Sequence, residues 1–435
     1  MNKEKKSAKA LIPMLVFVLL YLSTGFILQI AGEDMAFYQL PAPVAVFVGI
    51  IVAFIIFKES IEEKTNTFIE GCGDSNIIIM CLIYLLAGAF STLAKASGGV
   101  ESVVGIGLNI IPIRFLTAGV FLIASFLSLA IGSSVGAITA LGPISIVLAT
   151  SSGINPSMML GALVGGSMFG DNLSIISDTT IAASRTQEID LKDKFKVNFK
   201  LAFPSAIITF FIFLFFARPD SNPQIKDITY NMLDILPYIF VLVAALCGMN
   251  VLVVLTGGIF FSAIILLTKT NFDLLNTFKL IWEGFDGMFE IFLLSMLIGG
   301  LSHMVEKEGG INWIISKIEK SIKDEKSAEL GIVSLVSIID IAVANNTVAI
   351  IIAGPIAKNI CKKYEIDPRR SASLLDTFAC IFQGLIPYSA QLLIAAGFSN
   401  GSVSPFEIIP FLRYQFILLA FAIASIYIPY AKPKD

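Results

Sequence analysis

Residues 115–170 read FLTAGVFLIASFLSLAIGSSVGAITALGPISIVLATSSGINPSMMLGALVGGSMFG, 56 positions without an Asp, Glu, Lys or Arg. A helix crossing the hydrocarbon core of a bilayer needs about 20 mostly apolar residues. The run is long enough for more than two crossings, and it sets the reading of everything around it. Further charge-free runs cover 10–32, 35–57, 75–94, 201–217, 235–268, 341–357, 377–406 and 414–431, with a shorter one at 291–305. A transmembrane β-barrel would instead show alternating segments of roughly 10 residues, which are absent. Of the 435 residues, 56% are hydrophobic and 14% charged, against about 25% charged in soluble domains. The expected fold class is an all-α polytopic membrane protein. A net charge of −3 implies no nucleic-acid partner. The five cysteines form no CxxC pair, so neither a disulfide framework nor a zinc site is indicated.

Orientation follows from the basic residues. Lys3, Lys5, Lys6 and Lys9 precede an apolar run longer than the roughly 7–15 residues of a signal-peptide core. Segment 10–31 is therefore expected to be a retained first helix. Starting it in the cytoplasm and alternating the crossings leaves 23 of the 30 Lys and Arg residues inside, which places both termini in the cytoplasm and the chain in the cell membrane. Segment 310–326, with Lys317, Lys320 and Lys323 beside Trp313 and Ile314, is expected to lie as an amphipathic helix on that face.

The chain resembles itself at a shift of 212 residues. Gly142-Pro143-Ile144 matches Gly354-Pro355-Ile356, and Ile154-Asn155-Pro156 matches Ile366-Asp367-Pro368. Only 12 of the 54 positions from 130 to 183 are identical without gaps, so the shared Gly-Pro and X-Pro positions carry the match. Turn 151–156 is uncharged, whereas 363–368 sits among Lys358, Lys362, Lys363, Arg369 and Arg370. The two copies are therefore expected to be inverted relative to each other, a recurring transporter plan with the site near the midplane. The first repeat is expected to span 1–218, with scaffold helices 10–94, a re-entrant hairpin at 113–150 and a broken transmembrane helix at 157–185. The second is expected over 219–435, with scaffold helices 233–303, hairpin 328–362, broken helix 370–396 and a last helix 406–431.

Each copy offers two polar interruptions. The hairpin tips are Gly132-Ser133-Ser134-Val135-Gly136 and Ala344-Asn345-Asn346-Thr347. The interrupted helices carry Phe169-Gly170-Asp171-Asn172-Leu173-Ser174, continuing to Ser177-Asp178-Thr179-Thr180, and Gln383-Gly384-Leu385-Ile386-Pro387-Tyr388, continuing to Gln391. Irregular backbone at membrane depth is tolerated only against protein or a water-filled cavity, and Gly384 with Pro387 breaks a helix. Asp171 and Asp178 stand out, because an ionisable residue inside a membrane costs about 2.5–3.5 kcal/mol on insertion scales. Asn172, Ser174, Ser177 and Thr179 add the hard oxygen donors that suit Na+. A carboxylate withdrawn from water binds its proton more tightly, so one anionic site can take H+ or Na+ but not both. Plainer readings stand beside this: Asp171 capping a half-helix, Asp178 solvated at a helix end, and the Ser133, Ser134, Asn345, Asn346 and Thr347 tips merely capping their turns. Asp376, Gln383 and Gln391 are further binding candidates, Asp376 alternatively pairing with Arg369 or Arg370. Asp340 lies in an arm of the second hairpin. His303 reads as a surface residue, and Asp34, Glu101 and Glu407 as solvated ones.

The segment from Phe169 to Ser174 with Ser177-Asp178-Thr179-Thr180 resembles the signature of the NhaC family of Na+/H+ antiporters, and Gln383 to Tyr388 is similar to the family's matching segment. The likeness covers roughly 115–200 and 330–430. It implies the ion-transporter superfamily plan of two inverted repeats, a dimeric carrier, and Na+ ligands drawn from Asp171, Asp178, Asn345 and Thr347. The Asn-Asn-Thr tip resembles the superfamily's Ser-Asn-Thr sodium-site tips, while a site at the Ser133-Ser134 tip would rest on hydroxyls. Related carriers exchange malate for lactate or move amino acids. The expected activity is Na+/H+ exchange by a secondary active transporter with no cofactor beyond the coupling ions, and the alternative is a Na+- or H+-coupled carrier of an amino acid or small organic acid. An intramembrane aspartyl protease would need Gly at position 168, where Met168 stands, and no nucleotide-binding loop appears; an enzyme is not expected.

Overall fold

The computed structural model describes residues 5–31, 33, 39–99, 102, 112–175, 177–219, 231–247, 249–269 and 273–431, and no strand occurs among them. Lys3, Asp34, Glu101, Lys432 and Lys434 lie outside the described residues. The scaffold opens with α1 (Ile12–Ile30), α2 (Ala42–Ile56), the short α3 (Ile61–Cys72) and α4 (Ser75–Ala96). Then come α5 (Leu116–Ile131), α6 (Ser134–Ser152), α7 (Pro156–Leu173) and α8 (Asp178–Gln187), closed by α9 (Leu191–Phe216). The second scaffold stretch holds α10 (Leu236–Leu246), α11 (Val251–Leu267), α12 (Leu274–Asp286), α13 (Phe289–Lys307) and α14 (Gly310–Glu319). It leads into α15 (Glu325–Val343), α16 (Asn346–Tyr364), α17 (Pro368–Leu385) and α18 (Ala390–Gly397), and the chain ends with α19 (Pro405–Ile408) and α20 (Arg413–Tyr427). Among the described residues, seven helical stretches are long and apolar enough to cross a membrane, or eight if the bent pair Pro405–Phe411 and Arg413–Tyr427 is one span. The protein is an all-helical polytopic membrane protein.

The 212-residue shift holds at the level of local structure. α5 and α15 end at 131 and 343, α6 and α16 run 134–152 and 346–364, and α7 and α17 run 156–173 and 368–385. The same devices set each boundary. Gly132 and Ala344 end a helix in the left-handed region, with φ of 74° and 51°. The next residue caps the following helix: Ser133 Oγ accepts from the Gly136 N–H at 3.2 Å, and Asn345 Oδ1 from that of Val348 at 3.0 Å. One helix later, Gly153 and Glu365 are again left-handed, Asn155 and Asp367 cap, and Pro156 and Pro368 take the first helical position, where a missing N–H costs nothing. Only Gly adopts that conformation freely, so Ala344 stores about 1–2 kcal/mol of strain. Ala344→Gly is expected to raise the melting temperature of the purified protein, a gain of about 1 kcal/mol after the extra chain entropy of Gly. An unchanged or lower melting temperature would show that the tip is unstrained.

The breaks have different causes in the two copies. In the second, Pro387 cannot donate an N–H, and Ile386 before it is extended with ψ of 118°. In the first there is no proline. There Ser174 Oγ donates to Leu129 O at 2.9 Å and Ser177 Oγ donates to the Asp171 carboxylate, while the freed Asn172 carbonyl accepts from Lys194 and Asn198, so side chains tie down the stretch where the helix stops. The two units also interlock crosswise. A methyl group on Gly142 would strike the Phe398 ring, and one on the matched Gly354 would strike Thr186.

Two apolar cores hold the assembly. The larger joins α4–α7 and α9–α11 to α15–α18 and α20. The smaller packs α1 and α2 on α13 and reaches Tyr388, whose ring meets Phe17 edge-on at 5.4 Å. Exposed Leu15, Leu19, Phe26, Phe211, Phe215 and Phe216 face outward, as the surface of a protein in lipid should. One expectation needs correcting. The last helix is not continuous over 406–431: α19 and α20 meet at a 55° bend, with Pro410 in the 3-10 turn between them and Leu412 at ψ 59°. The amphipathic segment expected over 310–326 is helical only to Glu319, and the Asp324 cap starts α15 within it. Glu407 belongs to a capping box with Ser404.

Candidate functional site

Both hairpin tips and both helix breaks meet around one cavity of about 190 Å³. Its polar lining is Ser133 and Ser134 from the first tip, Asp171, Ser177, Asp178 and Thr179 from the first break, Asn345, Asn346 and Thr347 from the second tip, and Gln383 and Gln391 from the second break. Ile79, Met80 and Ile83 of α4 supply an apolar wall. The internal shift pairs these residues: Asp171 corresponds to Gln383, Thr179 to Gln391, and Ser134 to Asn346. At the first of these matched positions a carboxylate stands in the first copy and a carboxamide in the second.

Asp171 is buried, and its two oxygens are held separately. Ser134 Oγ donates to Oδ2 at 2.7 Å and Ser177 Oγ to Oδ1 at 2.5 Å, with Thr179 Oγ1 2.8 Å from the Ser177 hydroxyl. From Ser134 the chain of bonds crosses to the other copy. Gln391 Nε2 donates to Ser134 Oγ at 3.1 Å, and Gln383 Nε2 donates to Gln391 Oε1 at 2.9 Å and to Ala344 O at 3.3 Å. All four interruptions are therefore tied through one network ending on a single carboxylate. Among the described residues, two buried groups lining the cavity have no hydrogen-bond partner, the Asn346 Nδ2 amide and the Gln383 Oε1 oxygen. Buried polar groups ordinarily have partners, so these atoms mark a place for a polar guest. Asp178 lines the same cavity but is exposed, in the first turn of α8, where a helix dipole favours an acid whatever its role.

Three sequence candidates lie elsewhere. Ser174 is spent on Leu129 O. Asn172 turns away from the cavity and donates to Asp376 Oδ2 at 3.1 Å. Asp376 pairs with neither Arg369 nor Arg370, which bind Asp367 and Glu329. It pairs with Lys194 at 2.5 Å, both side chains being fully buried. Six residues along a helix turn Arg370 and Asp376 to different faces, and Arg369, seven residues away on the same face, is about 10 Å along the axis, which is why the nearer cations are out of reach.

Lys194 is the residue that the sequence reading missed, along with Asn198. Its ammonium spends its donors on Asp376, on the Asn172 carbonyl at 2.7 Å and on Thr180 Oγ1 at 2.6 Å. A cation thus sits on the open carbonyl end of α7, where the helix dipole favours it. Asn198 Nδ2 adds a bond to Asp376 Oδ2 at 2.7 Å. The knot clamps the unwound stretch from behind while Asp171 faces the cavity in front.

Two further cavities flank the site. One of about 190 Å³ shares Asn345 with it and is lined by Glu70, Asp74, His303 and Glu306; His303 stands 3.6 Å from Glu70 and 3.7 Å from Glu306. The other, of about 400 Å³, lies toward the opposite end of α4, with Lys95, Thr150, Glu283 and Asn400 in its wall.

Paired hairpin tips and broken helices closing on a polar cavity between apolar spans define a membrane ion carrier. The chain belongs to the Na+/H+ antiporter family, whose sequence profile matches residues 6–218 and 221–430. It is similar to the malate-2H+/Na+-lactate antiporter of Bacillus subtilis (strain 168), with 23% identity over 433 residues covering 92% of each chain. It is also similar to the Na+/H+ antiporter NhaC of Alkalihalophilus pseudofirmus, with 22% identity over 77% of this chain and 79% of that one. MtrF of Neisseria gonorrhoeae aligns over 97% of this chain and 94% of its own with 12% identity and a TM-score of 0.42.

Proposed function

We propose that the cavity binds one Na+ on the Asp171 carboxylate, with oxygens from Ser177, Asp178, Asn345 and Thr347 completing the shell, and that H+ competes for the same carboxylate. The observation that carries this is the convergence of both tips and both breaks on Asp171, the anionic side chain buried in the cavity wall. Carboxylate, hydroxyl, carboxamide and backbone oxygens make a hard donor set that suits a small hard cation. The same group cannot hold both ions, and that exclusion is what exchange requires. In this reading the two repeats, 1–218 and 219–435, are inverted across the cell membrane with both termini cytoplasmic. The Glu70–His303 cavity is then the inward vestibule, and the Lys95–Asn400 cavity the outward one. The carrier works as a dimer, needs no cofactor beyond its coupling ions and performs no covalent chemistry.

The open Asn346 and Gln383 groups favour a second reading, in which a small polar organic solute rides with the ion. Proteoliposomes separate the two. With Na+ outside and a pH-sensitive dye inside, Na+ entry is expected to drive H+ out with no organic solute present. If H+ moves only when malate, lactate or an amino acid is added, the exchange reading fails and the solute carrier stands.

A further inference from the structure

Asp340 is a buried carboxylic acid that the cation site does not use. It lies in α15, four residues before Ala344, and is fully inaccessible. Among the described residues its two oxygens have no hydrogen-bond partner. Among the described residues the other buried acids each have a partner: Asp376 has Lys194, Glu329 has Arg370 at 2.9 Å, Asp234 has Lys269 at 3.0 Å, and Asp171 has two hydroxyls. An ionised carboxylate stripped of water and left without donors carries a cost of several kcal/mol. A neutral acid needs only one acceptor for its O–H.

The internal shift offers a candidate acceptor. The residue matching Asp340 is Ser128, whose hydroxyl donates to the Ser167 carbonyl at 2.6 Å and so joins α5 to α7. In the second copy the matching carbonyl belongs to Ala379 of α17. A protonated Asp340 can donate to a carbonyl in the way Ser128 does, and an ionised one cannot.

The neighbours leave Asp340 free to titrate by itself. α15 packs against α13, α14, α16, α17 and α20. Tyr388, on the link after α17, is the titratable side chain near enough to feel its charge. On α17, Asp376 and Arg370 are taken by Lys194 and Glu329. On α13, His303 sits with Glu70 and Glu306. The cavity holding those groups is also lined by Ser302 and Val343, and Ser302 Oγ donates to Ala342 O at 2.8 Å. Toward the cation cavity, the Ala344 N–H binds the Asp340 carbonyl at 2.7 Å while Ala344 O takes Gln383.

We propose that Asp340 is a second proton-carrying site, separate from the cation cavity and linked to it through the Ala344 tip. It takes H+ from water on one face of the membrane and returns it to water on the other, and no other bond changes. This rests on the exchange reading above and adds a proton that does not compete with the cation.

The test is the H+/Na+ coupling ratio in proteoliposomes, read from the gradients at which net flux stops. In Asp340→Asn the ratio is expected to fall about twofold, as two titrating carboxyls become one, with Na+ affinity kept. Asp340→Ser, which installs the first copy's residue, is expected to do the same and guards against misfolding of the Asn variant. An unchanged ratio in a folded variant overturns the proposal. In the wild type, infrared difference spectra between high and low pH without Na+ are expected to show a buried protonated-carboxyl band that is absent in Asp340→Asn; identical spectra for the two proteins overturn it too. If the wild type moves no H+ with Na+ at all, the exchange reading is what fails, and the infrared result still decides whether Asp340 binds a proton.

Discussion

Asp171→Asn is expected to lose cation-coupled flux while keeping the melting temperature of the wild-type protein. The amide has nearly the same shape and still accepts from one hydroxyl. What disappears is the charge that holds the cation, and with it the cost of burying that charge, which offsets the weaker hydroxyl bonds. Na+ affinity should fall by about 100-fold or more, roughly 2.8 kcal/mol. Binding of Na+ by the purified protein, measured calorimetrically beside the flux, separates loss of the site from loss of the fold. Wild-type affinity in the variant would place the cation somewhere other than at the junction of the two tips and two breaks. Gln383 sets the contrast. It occupies the matching position but carries no charge, so Gln383→Leu should disturb the network to Gln391 and Ala344 without an equal loss of affinity.

The second large effect concerns stability. Lys194→Ala leaves the Asp376 carboxylate fully buried with only amide donors, and it leaves the Asn172 carbonyl at the end of α7 with only the longer bond from Asn198 at 3.3 Å. Breaking a buried pair from one side costs about 3–5 kcal/mol, whereas replacing both partners by apolar groups of similar size is often neutral. Lys194→Met with Asp376→Leu should therefore recover most of the thermal stability lost in Lys194→Ala. Equal melting temperatures for Lys194→Ala and the wild type would show that the pair contributes nothing to the clamp on the unwound stretch.

The spans, both tips and both breaks were legible in the sequence for one reason. Polar and ionisable residues are rare inside long apolar runs, so Asp171, the Asn345-Asn346 pair and Pro387 stand out against their surroundings. Lys194 did not, because it sits among Lys192, Lys196 and Lys200. There a buried lysine looks like one more residue of a basic cytoplasmic edge. Its signal lay in spacing, since Lys194, Asn198, Leu201 and Ser205 follow one buried helix face. Asn172 and Asp376 were read as cavity residues because sequence proximity to Asp171, or presence on the same broken helix, does not say which way a side chain turns. The bend in the last helix was overlooked although Glu407, Pro410 and Arg413 interrupt the apolar sequence at that point.

The equal residue counts in the two units, from tip to turn to break, have a consequence for chain length. Each residue added to or removed from a helix swings everything beyond it by about 100° and shifts it about 1.5 Å. Deleting one residue from the middle of α7 would keep its composition yet rotate Asp171 out of line with Ser134. The turns at 153–155 and 365–367 thus act as rulers, and evolution can repaint the cavity wall far more freely than it can change the count between the marks.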